Sequence, residues 1–188
     1  MKSLSRGDTI IELVLAFAIF SMCAVMTIMI LNKGVAVSQR SLEKSLVRQQ
    51  IDSQSEIIRY LHDTNSPLWN TLKTKTVTNP LPLSGPCPTS GSLGGAARGF
   101  FVTPDDVAAD GFIIKNAVSP DYSTAITYSK VDYSAQKSEG IWVQVAKAEN
   151  KSGDASIDAY DFYIHGCWDS LGLSVPMTVG TIVRVYGN

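Results

Sequence analysis

The sequence predicts an α+β protein in which a long N-terminal α-helix packs on a C-terminal antiparallel β-sheet. Three observations predict this class. Residues 13–31 form an uncharged apolar run, residues 35–63 continue with helical periodicity and without Pro or Gly, and the chain after Gly99 contains short runs rich in Val, Ile, Tyr, Phe and Trp. Of the 188 residues, those after the helix suffice for one small domain.

The apolar run is long enough for one helix to cross a bilayer, since it holds about 19 residues with a rise of about 1.5 Å each. Glu12 comes directly before it. A charged carboxylate next to hydrocarbon costs on the order of a few kcal/mol, so Glu12 requires a cationic partner. We therefore expect Glu12 to be a functional residue.

The residues around Glu12 carry a resemblance. A short leader with Lys2 and Arg6 ends at Gly7, and the string Ile-Ile-Glu-Leu at residues 10–13 opens the helix. This pattern resembles the start of type IV prepilins and pseudopilins. The resemblance implies that a membrane peptidase cuts between Gly7 and Asp8 on the cytoplasmic side, and that the new N-terminus is methylated.

The same resemblance implies how the chain functions. Glu12 becomes the fifth residue after the cut and neutralises the terminal amine of an adjacent subunit in a growing filament. The implied partners are other pilin subunits, the prepilin peptidase, an inner-membrane assembly platform and, before assembly, membrane lipid. The chain is then a single-pass membrane protein that becomes part of an extracellular filament.

Two departures from the family favour a minor pilin or pseudopilin over the bulk subunit. The family usually has Phe or another apolar residue after the cut, whereas this chain has Asp8. Many major pilins also carry a proline within the apolar helix, and here none precedes Pro67. Gly34 is the strongest nearby helix weakener, costing about 1 kcal/mol relative to Ala.

Other interpretations of the N-terminus explain fewer of its sequence features. A cleaved signal peptide has a shorter apolar core that ends at a small-x-small site, but Ala16-Phe17-Ala18 lies within the run. A lipoprotein signal needs a small residue before its cysteine, and Met22 precedes Cys23. A plain signal anchor remains open, although it explains neither Glu12 nor the Gly7-Asp8 junction.

We divide the chain into a leader (residues 1–7), a transmembrane and assembly helix (8–32), its amphipathic continuation (33–63) and a β-rich pilin-like head (64–188). The continuation carries an apolar stripe of Val47, Ile51, Ile58 and Leu61. We expect the sheet to cover this stripe. A coiled-coil seam is the alternative, but the spacing is irregular.

The cysteines and the net charge indicate a disulfide and argue against a metal site and a nucleic-acid binder. Cys23 lies in the apolar run, whereas Cys87 and Cys167 lie in the head and most simply form one disulfide in an oxidising exterior. Two cysteines are too few for a four-ligand metal site. The net charge is −1, or −3 once Lys2 and Arg6 are removed with the leader, so bulk charge does not indicate a nucleic-acid binder.

In the head, residues 67–99 are expected to be loop-rich because of their prolines and glycines. Strands are then predicted by β-branched and aromatic runs at residues 99–102, 111–115, 125–129, 141–148, 157–165 and 181–186. Alternation places Ile141, Val143 and Val145 on one face, and it places His165 on the solvent side of its strand.

The sequence supports neither catalysis nor a cofactor. A Gly-x-Ser-x-Gly elbow is missing, and the glycine-rich residues 90–99 lack the Gly-Lys-Ser or Gly-Lys-Thr ending of a P-loop. Residues 150–158 place side-chain oxygens at spacings that suit a hard cation, but a solvated hairpin accounts for them more simply. The dispersed lysines form no DNA-binding groove. We therefore assign no catalytic residue, metal site or cofactor.

The sequence thus predicts a structural subunit of a type IV pilus or pseudopilus. Its alternative is a minor or tip pilin whose head acts as an adhesin or a DNA-uptake module, with an unknown surface ligand. A second rival, an enzyme displayed by a signal anchor, lacks a nucleophile, a metal cluster and a cofactor loop in the sequence.

Overall fold

The computed structural model describes residues 8–83, 85–148, 158–170 and 172–186 of the chain. The described helices are α1 (Asp8–Asp63), α2 (Pro67–Thr74) and α3 (Ser90–Leu93), and a 3₁₀ turn follows at Gly95–Ala97. The strands are β1 (Phe100–Pro104), β2 (Phe112–Asn116), β3 (Tyr122–Ser123), β4 (Lys130–Asp132), β5 (Lys137–Glu139), β6 (Ile141–Lys147), β7 (Ala159–Trp168) and β8 (Met177–Tyr186).

The chain forms two compact units, of which the first ends at Leu42 and the second begins at Glu43. We call them the N-terminal unit and the C-terminal unit. Helix α1 contributes to both, because it runs without a break through residues 8–63. Its length of 56 residues agrees with the predicted continuous helix and reflects the absence of Pro, which would remove a backbone donor and clash with the preceding turn.

Helix α1 ends where turn-forming residues begin. Asn65 adopts a left-handed conformation with φ of 50°, which Asn tolerates better than most residues. Ser66 then caps α2, since its Oγ accepts a hydrogen bond from the Leu68 amide at 3.1 Å, and Pro67 occupies the first turn, where its missing N–H costs nothing. Residues 67–99 were expected to be loop-rich, and the helix that this cap and proline start within them was not predicted.

The C-terminal unit contains an antiparallel five-stranded sheet in the order β2-β1-β6-β7-β8. A smaller three-stranded sheet has the order β3-β5-β4, with β3 and β5 parallel. The predicted α+β class, a long helix followed by an antiparallel sheet with pilin-like organisation, is confirmed. Strand β8 is longer than predicted, because all ten of its residues pair with β7 from Trp168↔Met177 to Ala159↔Tyr186.

One predicted strand is absent. Residues 125–129 form only an isolated bridge, between Ala125 and Trp168. Their polar groups instead contact the end of β7 one at a time: the Ala125 carbonyl accepts from the Asp169 amide at 3.2 Å, and Ser129 Oγ donates to the Cys167 carbonyl at 2.8 Å. The β-branched composition was therefore misleading, because these bonds do not form a continuous ladder.

The main core lies between the second part of α1 and the large sheet. Four side chains of the predicted stripe are almost completely buried, namely Val47, Ile51, Ile58 and Leu61. They share one cluster with sheet residues such as Val143, Phe162 and Val183, and with Trp69 and Leu72 of α2. The helix approaches the sheet closely at Gly166, where an added Cβ would lie 2.7 Å from Val47 Cγ1.

Gln54 also lies on the buried side of α1, although glutamine is usually a surface residue. Its Nε2 donates to the Val102 carbonyl at 2.7 Å, and its Oε1 accepts from the Val102 amide at 2.9 Å. Strand β1 pairs with β6 only at Phe100↔Val143. The amide of Gln54 therefore satisfies backbone groups that β6 leaves unpaired, which removes the penalty for burying them.

The opposite face of the large sheet is covered as well. Trp142 and Cys167 are buried there in a second cluster with Leu93, Ala117 and Tyr122. Consequently all residues from Ile141 to Val145 are buried, including Trp142 and Gln144, which alternation placed opposite the core face. The alternation of residues identified the two faces of β6 correctly. It does not show that the segment before β1, which includes Leu93, covers the face opposite the main core.

Candidate functional site

Residues 10–31 of the N-terminal unit expose an almost entirely apolar helix surface. Between residues 10 and 31, the large apolar side chains are 51% exposed at Val25 and up to 70% exposed at Ile11 and Phe20. Among the described residues, α1 contains the one segment long and apolar enough to cross a membrane. Because so large an apolar surface is unfavourable in water, this segment requires lipid or other apolar helices around it.

Polar side chains inside the run are satisfied by the helix itself. Ser21 Oγ donates to the Phe17 carbonyl at 2.7 Å, and Thr27 Oγ1 donates to the Cys23 carbonyl at 2.8 Å. Such bonds to the preceding turn remove the need for water around a hydroxyl. The run is thus chemically suited to hydrocarbon along its length, with one exception.

Glu12 is that exception. It is the one Asp, Glu, Lys, Arg or His in residues 10–31, and it is exposed on the apolar helix. No ion pair joins it to any residue within the described ranges. A carboxylate at this position enters an apolar phase only at a cost that a nearby cation reduces. The compensating group must therefore come from outside the described part of the chain.

Of the two residues at the expected processing site, Gly7 and Asp8, the structure describes one. Asp8 is the first residue of α1. Gly7 lies outside the described residues, and so do residues 150–157 of the segment 150–158, for which a solvated hairpin was preferred to a cation site. The start of α1 at Asp8 places Glu12 in the second turn of the helix.

The expected disulfide is present. Cys87 and Cys167 are joined with their Cα atoms 5.5 Å apart, across 80 positions of sequence. The bond links the segment between α2 and α3 to β7, beside Leu93 and Trp142. Cys23 is a free and exposed thiol in the N-terminal unit.

His165 does not face solvent, contrary to the prediction from alternation. It is 5% exposed and lies 5.4 Å from the Trp142 ring and 6.2 Å from the Tyr163 ring, measured between centroids. Neither of its ring nitrogens has a hydrogen-bond partner among the described residues. Burial disfavours the imidazolium and lowers the pKa of His165 to about 4.

His62, at the end of α1, has a structural environment. Its Nε2 donates to the Tyr186 carbonyl at 2.8 Å, its Nδ1 lies 2.8 Å from Asp63 Oδ1, and its ring meets Trp69 edge-on at 5.0 Å. These contacts tie the helix end to the last residues of β8. The two histidines therefore differ in environment. His62 is hydrogen-bonded at the end of α1, whereas His165 is buried among aromatic rings.

Glu43 is a polar residue of α1 whose position sequence reasoning missed. It is 6% exposed, and its Oε2 accepts from Trp168 Nε1 at 3.1 Å and from Ser170 Oγ at 2.7 Å. These bonds offset the cost of burying the carboxylate. One signal could have suggested it, because Glu43 precedes Val47 by four residues and so lies on the buried stripe.

Comparisons with protein-family models, with curated proteins and with solved structures found no match to this chain.

Proposed function

We propose that this chain is a membrane-anchored subunit of a type IV pilus or pseudopilus, processed after Gly7 and assembled into a filament through Glu12 and the apolar part of α1. The observation that carries the proposal is the exposed carboxylate of Glu12, the one carboxylate of residues 10–31, on a helix segment whose apolar side chains are exposed around its whole circumference. A lipid anchor alone needs the apolar surface and has no use for the acid.

The proposal accounts for the carboxylate by giving it a partner. When subunits stack, the terminal ammonium created by cleavage before Asp8 lies close to Glu12 of a neighbouring subunit. Two opposite charges in a low-dielectric surrounding attract each other far more strongly than in water. The pair therefore fixes the axial position of one subunit against the next while the apolar helices exchange lipid for one another.

The C-terminal unit supports the same function. Its sheet covers the apolar stripe of α1 from Val47 to Leu61, so this stripe is protected from water within the chain itself. The disulfide between Cys87 and Cys167 suits an oxidising exterior. A folded head on a helix with an exposed apolar surface is what a filament subunit needs to pass from membrane to polymer.

The test is replacement of Glu12 in the producing cell. We expect Glu12→Ala to insert into the membrane at the wild-type level and to be lost from sheared filaments, because the counter-charge for the neighbouring ammonium is gone. Glu12→Asp keeps the charge and should restore part of the incorporation. Immunoblots of membrane and filament fractions measure both, and intact-mass analysis of the mature chain should show loss of the first seven residues.

A matched control separates a specific role from a general effect of charge. Glu56 is an exposed glutamate of the same helix, paired with Arg59 at 3.3 Å in the C-terminal unit, so Glu56→Ala should leave incorporation unchanged. Filaments that contain Glu12→Ala at the wild-type level would refute the proposal. Labelling of the head along the shaft supports a structural subunit, whereas labelling confined to tips supports the adhesin or DNA-uptake alternative.

A further inference from the structure

The C-terminal unit has an open pocket that neither the assembly helix nor the disulfide explains. Its volume is about 330 Å³. It is formed by the end of α2, the glycine-rich segment before β1 and the end of β2, and its lining includes Thr74, Lys75, Gly94, Gly95, Arg98 and Asn116. Two cationic side chains thus meet in a small concave surface.

Arg98 is held in place by the backbone of the segment that follows α2. Its Nη1 donates to the Thr74 carbonyl at 2.8 Å and to the Thr76 carbonyl at 3.4 Å. The residue itself adopts a left-handed conformation with φ of 45°, an uncommon geometry for a side chain of this size. The chain therefore fixes this guanidinium at the pocket, with little conformational freedom left to lose on binding.

Lys75 is held by a neutral partner. Its Nζ donates to Asn116 Oδ1 at 2.7 Å and lies 6.0 Å above the Phe100 ring. Within the described part of the chain, no salt bridge joins Lys75 or Arg98 to a carboxylate. Burial and the neighbouring Arg98 charge lower the pKa of Lys75, so the two cations are close enough to repel each other. An anion between them would relieve this repulsion.

The glycines leave room for a ligand beside the cations. Gly94 and Gly95 line the pocket without side chains, and a Cβ added at Gly95 would meet no atom within 4 Å. Gly95 has a φ of +57°, which favours glycine at this position. The glycine-rich segment lacks a P-loop ending, but it contains Arg98, and the fold brings Lys75 to the same pocket.

We propose that this pocket binds the phosphate group of a small ligand between Lys75 and Arg98, with Asn116 positioning the lysine. A phosphate monoester carries about −1.5 to −2 charges near pH 7, which matches two cations, whereas a carboxylate leaves one cation uncompensated. Arg and Lys both form strong charge-assisted bonds to phosphate oxygens. The volume accommodates the phosphate together with part of the molecule that carries it.

The experiment uses the full chain in an uncharged detergent, with inorganic phosphate as the probe and sodium chloride holding ionic strength constant. Calorimetric titration should show saturable binding in the millimolar range at one site, and the amide NMR signals of Gly95 and Gly99 should shift. Acetate in a parallel titration should bind at least about tenfold more weakly, which corresponds to about 1.4 kcal/mol.

Three substitutions test the assignment. Lys75→Met should weaken phosphate binding at least about tenfold. Asn116→Asp keeps the size of the side chain and places a carboxylate against Lys75, so it should abolish binding. Asn65→Asp, on the exposed turn after α1, makes the same change in net charge elsewhere and should bind like wild type. Circular dichroism confirms the fold of each variant.

Several results would overturn the proposal. They are phosphate binding that does not saturate, equal affinity for acetate, and wild-type affinity in Lys75→Met or Asn116→Asp. Equal weakening in Asn65→Asp would also overturn it, because the effect would then follow from net charge alone.

Discussion

Two glutamates of the same helix show how differently the two units treat one residue type. Glu12, in the N-terminal unit, is exposed among apolar side chains and pairs with no described residue, whereas Glu43, in the C-terminal unit, is buried and accepts two hydrogen bonds. The same contrast holds for isoleucine, since Ile28 is 58% exposed and Ile58 is fully buried. Helical structure alone therefore does not distinguish a residue that stabilises the fold from one available to a partner.

The contrast can be tested by substitutions in one unit at a time, with the same tryptophan fluorescence signal recorded for each variant. All three tryptophans, Trp69, Trp142 and Trp168, belong to the C-terminal unit. Their fluorescence during urea unfolding in an uncharged detergent therefore reports on that unit alone.

The largest effect is expected from the disulfide. Replacing Cys87 and Cys167 together by Ala should lower the unfolding free energy of the C-terminal unit by about 4 kcal/mol, because a closed loop of 80 positions restricts the unfolded chain. Tryptophan fluorescence measures the shift in urea midpoint. Cys23→Ala, in the N-terminal unit, is the control and should leave the midpoint unchanged; a similar shift there would contradict the division between the units.

The next effect comes from the buried stripe of α1. Ile58→Ala should lower the unfolding free energy by about 3 kcal/mol, because it leaves a cavity between helix and sheet. Ile28→Ala removes the same atoms from the exposed apolar surface and should change it by less than about 0.5 kcal/mol. If both substitutions shifted the unfolding midpoint equally, burial in the head would not explain the stability of α1.

A smaller effect should appear as a pH dependence. The pKa of His165 is about 4 in the folded chain and about 6.5 when unfolded, so the unfolded state binds more protons between these values. Stability from this group is complete above pH 6.5 and is lost as the pH falls, by about 3 kcal/mol at pH 4.

His165→Leu should remove this loss of stability at low pH, because it places an apolar side chain that cannot be protonated beside Trp142. Unfolding midpoints between pH 4 and 7 measure the difference between the two proteins. Asp161 titrates in a lower range, because hydrogen bonding to Arg184 lowers its pKa below the usual carboxyl value. A wild-type midpoint that is flat across this window would show that His165 is protonated without cost.

Much of the fold was predictable because it depends on local pattern. The uninterrupted helix followed from the absence of proline, and the buried positions Val47, Ile51, Ile58 and Leu61 followed from a helical period. The predicted pair of Cys87 and Cys167 is present for the simple reason that the head contains two cysteines. The prepilin-like processing and the role of Glu12 stay predictions.

The errors share a physical origin in contacts between distant residues. His165 was assigned to solvent because alternation gives its face but not what covers that face. Residues 125–129 have strand composition, yet their bonds to the end of β7 form no ladder. Glu43 and Gln54 are of residue types that usually lie at the surface, although each has buried partners far away in sequence.

The sequence by itself determined a helix long and apolar enough for a bilayer, the single acid of its residues 10–31 at Glu12, the stripe that a sheet must cover and the strand-rich head. These features depend on the spacing of residue types along one helix or strand. Only the tertiary structure decided the burial of His165 and Glu43, and only it placed Lys75 beside Arg98 in a glycine-lined pocket. Such positions depend on which segments meet in space, because burial and the proximity of charges are properties of the packed chain.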